Sequence, residues 1–78
     1  MNATSPAVDV EAKTVAHAGH HFVMRPLAED SYTIMENGVP VGRAVYTFGA
    51  ANAVAESDTV TEDLLYEVAE AWFAALDG

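Results

Sequence analysis

Asn37-Gly38 sits between two runs of β-forming residues, 31–36 and 39–48, and no other feature restricts the fold of this chain so strongly. A two-residue type I′ turn needs positive φ at both central positions, and Asn-Gly is the pair best suited to it. A turn of that length sets a register in which Glu36 faces Val39, Ile34 faces Val41 and Tyr32 faces Arg43. Side chains alternate along a strand, so Tyr32, Ile34, Val39 and Val41 share one face, read here as the core face. Ser31, Thr33, Met35, Pro40, Gly42 and Ala44 share the other. Pro40 has no N–H to donate and puts its side of the hairpin near an edge. Gly42 marks either a bulge or the close approach of another backbone. Val45, Tyr46, Thr47 and Phe48 are β-branched or aromatic and prolong the strand.

A further strand is expected over 20–27, with Phe22 and Met24 on one face and His21, Val23 and Arg25 on the other. Residues 1–18 read as a flexible N-terminal arm, in which Val8 and Val10 alternate with Asp9 and Glu11 and allow a marginal fourth strand. The alanine-rich stretch 49–56 fits either a short helical turn or a bent extension of the preceding strand. A helix is predicted over 59–76. Thr59 and Glu62 match a capping box, and Leu65, Val68, Ala69, Trp72 and Leu76 recur at helical spacing as its buried stripe. Gly78 stands where a helix stop is expected. The expected fold is α+β: a three-stranded antiparallel sheet, or four-stranded with the N-terminal segment, with one C-terminal amphipathic helix packed on one face. Residues 19–78 form the single domain.

Seventy-eight residues bury a thin core with little room for a deep cleft. The chain has no cysteine, which removes disulfides and thiolate metal sites and fits a reducing, cytoplasmic setting. No secretory leader and no apolar run of membrane-spanning length is visible. Twelve Asp and Glu against three Lys and Arg leave a formal charge of −9. Phosphate backbones and anionic membrane surfaces repel such a chain, so direct nucleic-acid binding and membrane binding are disfavoured. Charge of this size calls either for screening by high salt or for a basic partner.

Asp63, Glu67, Glu70 and Asp77 fall on the outer side of the predicted helix, which contains no Lys or Arg. They are the candidate partner-binding strip, against the plainer reading of a solvated face. Tyr66 and Phe73, at the flank of the buried stripe, are candidate exposed aromatics for an interface. His17, His20 and His21 are the candidate metal ligands, since imidazole binds Zn²⁺, although strand alternation sends His20 and His21 to opposite sides. Arg43 is expected to lie over Tyr32 or to pair with Glu36 or Glu29. The sequence carries no recognisable catalytic set, no Gly-rich phosphate loop and no cofactor motif, so no enzyme activity and no cofactor are expected.

The segment from Tyr32 to Ala44 resembles hairpins of many small bacterial and phage proteins. The overall balance of charge resembles haloarchaeal cytosolic proteins, and a small acidic sheet-plus-helix chain is similar to anti-CRISPRs and other phage inhibitors. From these features the expected function is a non-enzymatic, acidic protein-binding module, such as a DNA-mimic-like inhibitor of a basic nucleic-acid-binding protein, or one that self-associates. The alternatives are a salt-adapted cytosolic domain and a histidine-based metal-binding protein.

Overall fold

The computed structural model describes residues 5–77. Six strands come first, β1 (Ala7–Asp9), β2 (Thr14–His17), β3 (His20–Ala28), β4 (Ser31–Glu36), β5 (Val39–Thr47) and β6 (Ala50–Ala55), followed by one helix, α1 (Glu62–Asp77). Each strand pairs antiparallel with the next, giving a single sheet in the order β1-β2-β3-β4-β5-β6. The sheet curls into a half-barrel around α1, which packs on β5 and β6 and reaches across to β1 and β2.

This corrects the expected three- or four-stranded sheet: the described residues form six strands. The additional ones come from 7–17, read as an arm, and from the alanine-rich stretch 50–55. Periodicity allows only a marginal strand in the first and leaves the second open, because their inward positions are lightly furnished. β1 sends Val8 inward, opposite Val15 of β2. β6 sends in Ala51, Ala53 and Ala55, and alanine has little strand preference of its own. What orders these segments is tertiary: Val15 and Ala51 are buried in the core, and α1 lies close on β6 where the side chains are small.

The Asn37-Gly38 hairpin is present, with φ of 53° and 79° at its two central residues. Its register follows the expected one only at the first pair, Glu36 opposite Val39. Met35 then faces Pro40, while Ile34 faces Gly42, so Val41 is an extra residue in a β-bulge. Beyond the bulge Thr33 faces Arg43 and Tyr32 faces Ala44. The core face on β5 is accordingly Val41, Gly42 and Ala44, and Val39 is exposed. Gly42 meets both conditions proposed for it. It lies at the bulge, and a Cβ there would collide with Leu65 of α1 and with the backbone carbonyl of Val54.

The helix starts two residues later than its expected cap. Thr61, not Thr59, is the N-cap: its carbonyl accepts from Leu65 N–H at 3.1 Å, and its Oγ1 accepts from Leu64 N–H at 3.1 Å. Thr59 is occupied outside the helix, where its hydroxyl lies 2.9 Å from Ser57 Oγ and its N–H donates to that same oxygen. Glu62 and Asp63 fill the first turn, where the helix dipole favours negative charge. Gly78 lies outside the described residues.

The core fills the half-barrel. Val15, Phe22, Met24, Ile34, Leu65, Val68 and Trp72 are the largest fully buried side chains. Tyr32 meets Trp72 edge-on at 5.3 Å and Phe73 at 5.8 Å, and Tyr46 tilts onto Phe73 at 5.3 Å. Through those rings Tyr32 of β4 and Tyr46 of β5 reach the helix. Phe73 is buried in place of Leu76, which is 42% exposed.

Candidate functional site

The outer side of α1 comes from a simple partition of its sequence. With Leu65, Val68, Ala69, Trp72 and Phe73 turned into the half-barrel, Glu62, Asp63, Glu67, Glu70 and Asp77 are left exposed. The last turn holds no basic residue. Of the predicted strip, Asp63, Glu70 and Asp77 have no ion-pair partner among the described residues. Glu67 does: its Oε1 accepts from Nε2 of His17 at 2.7 Å, with the carboxylate side chain still 59% exposed. The strip therefore has a member tied to β2.

The three histidines do not come together. His17 and His20 are cross-strand partners across the Ala18-Gly19 turn, but each is engaged with a different carboxylate. His17 is buried against α1 through Glu67, and Nδ1 of His20 donates to Glu36 Oε2 at 2.7 Å while its ring stacks on Phe22. His21 is exposed on the opposite face of β3. Among the described residues no three His, Asp or Glu side chains converge as a metal site. His17 Nδ1 and Trp72 Nε1 are buried without a hydrogen-bond partner.

Of the two aromatics singled out at the helix flank, Tyr66 is exposed and Phe73 is only 7% exposed, under Tyr32 and Tyr46. The sequence reading missed Phe48. It is fully exposed at the β5–β6 turn, with φ of 51°. Near the C-terminal end of α1, a cavity of about 190 Å³ is lined by Asp30, Tyr46, Phe73, Leu76 and Asp77, so the acidic strip runs into a partly apolar hollow. Arg43 neither covers Tyr32 nor pairs with Glu36 or Glu29. Its Nε donates to Glu56 Oε2 at 2.9 Å, because the bulge moves it opposite Thr33.

The convex face of the sheet is chemically different. Its strand positions from β2 to β6 carry no carboxylate; they present Thr14 and Ala16, then His21, Val23 and Arg25, and on β4 Thr33 and Met35. A shallow groove of about 390 Å³ crosses it, lined mainly by apolar groups together with Lys13 and Arg25. The molecule thus has an acidic helix side and a sheet side whose outward strand positions from β2 to β6 bear no carboxylate, with Glu56 just past β6 paired to Arg43. Among the described residues no helix is long and apolar enough to cross a membrane. Comparisons with protein-family models, with curated proteins and with solved structures gave no match.

Proposed function

We propose that this chain is a non-enzymatic protein-binding module that meets a basic partner through the outer side of α1. One observation carries the reading: five exposed carboxylates, Glu62, Asp63, Glu67, Glu70 and Asp77, line a helix without a single Lys or Arg. Like charges at helical spacing destabilise an isolated helix, so a row of them is a cost that a basic partner would offset. The hollow beside Asp77, with Tyr46 and Leu76, adds apolar contact at the end of the row. The partner class that fits best is a nucleic-acid-binding protein, whose groove is built for a line of negative charge. The expected setting is the cytoplasm, in keeping with a chain without cysteine. A half-barrel filled by Phe22, Met24, Ile34 and Trp72 supports a binding role over catalysis.

Affinity for the basic nucleic-acid-binding proteins of the host, measured by calorimetry, tests this. Binding that weakens at least about tenfold in Asp63→Asn/Glu70→Gln, and that heparin competes away, is the expected result. Retention of full affinity by that variant would remove the helix side from the interface.

A second reading rests on a separate observation: exposed carboxylates also stand in the turns outside α1, at Glu11, Glu29, Asp30 and Asp58. Such a spread suits a domain adapted to high salt, whose charge is a device for solubility. Unfolding followed from dilute to molar KCl separates the readings. Steep stabilisation by salt favours adaptation, and a fold fully stable at low salt favours a partner.

A further inference from the structure

β3 outruns its neighbour. The last cross-strand pair between β2 and β3 is Thr14 with Val23, yet β3 continues to Ala28. The β1–β2 turn lies beside this step: within it Ala12 N–H donates to Asp9 Oδ1 at 3.0 Å, and Met24 N–H of β3 donates to the Lys13 carbonyl at 2.7 Å and ties the turn to the strand. Between the turn and the strand lies the convex-face groove, about 390 Å³, bordered by Ala12, Lys13, Val23, Arg25, Pro26 and Met35. Its size falls within the roughly 300–1,000 Å³ usual for small-molecule sites. Val23 and Met35 are cross-strand partners and give it an apolar floor.

The distribution of cations makes this groove unusual for its chain. Carboxylates outnumber Lys and Arg by twelve to three, so a cation without a carboxylate is unexpected. Arg43 has one, Glu56. Lys13 and Arg25 have none among the described residues, and both border the same groove. Two unpaired cations beside an apolar floor are complementary to a molecule with an anionic head and an apolar body. A bilayer of anionic lipid would be repelled by the net charge of −9, which leaves a free solute as the better match.

We propose that this groove is a binding site for a small amphipathic carboxylate, with its apolar body on Val23 and Met35 and its carboxylate held by Lys13 and Arg25. The site is independent of the helix side and stands or falls apart from the partner proposed there.

The test is a titration of the full-length, ¹⁵N-labelled chain with monomeric decanoate, followed by amide chemical shifts, with decanol as the uncharged control. Saturable shifts centred on Lys13, Val23, Arg25 and Met35 are expected, with decanol weaker by about tenfold or more. Arg25→Gln and Lys13→Gln should each weaken decanoate binding, the double variant most, while Arg43→Gln leaves it unchanged. Both residues are exposed, and the amide spectrum itself reports whether each variant is folded. Should Lys13→Gln unfold, Arg25→Gln alone decides the comparison. Equal affinity for decanol, shifts centred elsewhere or absent, full affinity in Arg25→Gln, or binding only to anionic vesicles would overturn the proposal.

Discussion

Three of the turns use the same backbone solution with different residues. Ala18-Gly19, Asn37-Gly38 and Phe48-Gly49 all place positive φ at both positions: 52° and 82°, 53° and 79°, 51° and 77°. Only asparagine is at ease in the first position, since the left-handed region costs other L-residues about 1–2 kcal/mol. This is why one hairpin was legible in the sequence and two were not: alanine and phenylalanine do not announce a left-handed turn. Phe48 carries a double penalty, strain and full exposure of its ring. Phe48→Asn is therefore expected to stabilise the fold by up to about 1 kcal/mol, seen as a rise of roughly 4–8 °C in Tm. A fall in Tm would mean that the ring supports the turn. Gly42 is the opposite situation, a position with no spare volume. Gly42→Ala should destabilise by about 1–3 kcal/mol through overpacking. Leu65→Ala in the same chain should return part of that loss, since Leu65 is one of the two groups in the way. A double-mutant cycle by urea unfolding would show a favourable coupling, and simple additivity would place the collision at the Val54 carbonyl alone.

At the scale of elements, the helix was readable because Leu65, Val68, Ala69 and Trp72 keep a 3.6-residue period and all four are buried. Its start was misread because the Thr59–Glu62 spacing satisfies a capping box on paper. Val60 held the better clue. Counting from Thr61 as N-cap, Val60 and Leu65 occupy the positions of a hydrophobic staple, and both are buried. Thr61→Ala should cost about 1 kcal/mol by denaturant unfolding, whereas Thr59→Ala should cost only a few tenths. Equal losses would restore the earlier start. The strands were readable where side chains were large, as in β3 and β4, and unreadable in β6, whose Ala-Ala-Asn-Ala-Val-Ala run has no period of its own to display. The bulge at Val41 could not be derived from alternation, because alternation is the rule it breaks. The candidate carboxylates followed from the helical period. The groove beside Lys13 depends on one strand overrunning another, which only the register reveals.

For the whole molecule the dominant quantity is charge. Mutual repulsion among twelve carboxylates acts over the screening length, about 10 Å at 0.1 M salt and about 3 Å at 1 M. Screening alone should therefore raise stability modestly between dilute and molar KCl, with sulfate adding a further, non-electrostatic increment, whereas a fold lost at low salt belongs to the salt-adapted reading. Neutralising Glu70 and Asp63 should flatten that dependence, and an unchanged salt slope would place the repulsion elsewhere. The helix also bears on the two borders of the sheet. It follows all six strands, and it touches the two outermost ones, β1 and β6. A chain shortened ahead of α1 therefore leaves β1 and β6 without the helix that packs against them. Fragments truncated ahead of Glu62 are expected to join border to border into long assemblies, and adding residues 60–78 in trans as a peptide should keep them apart.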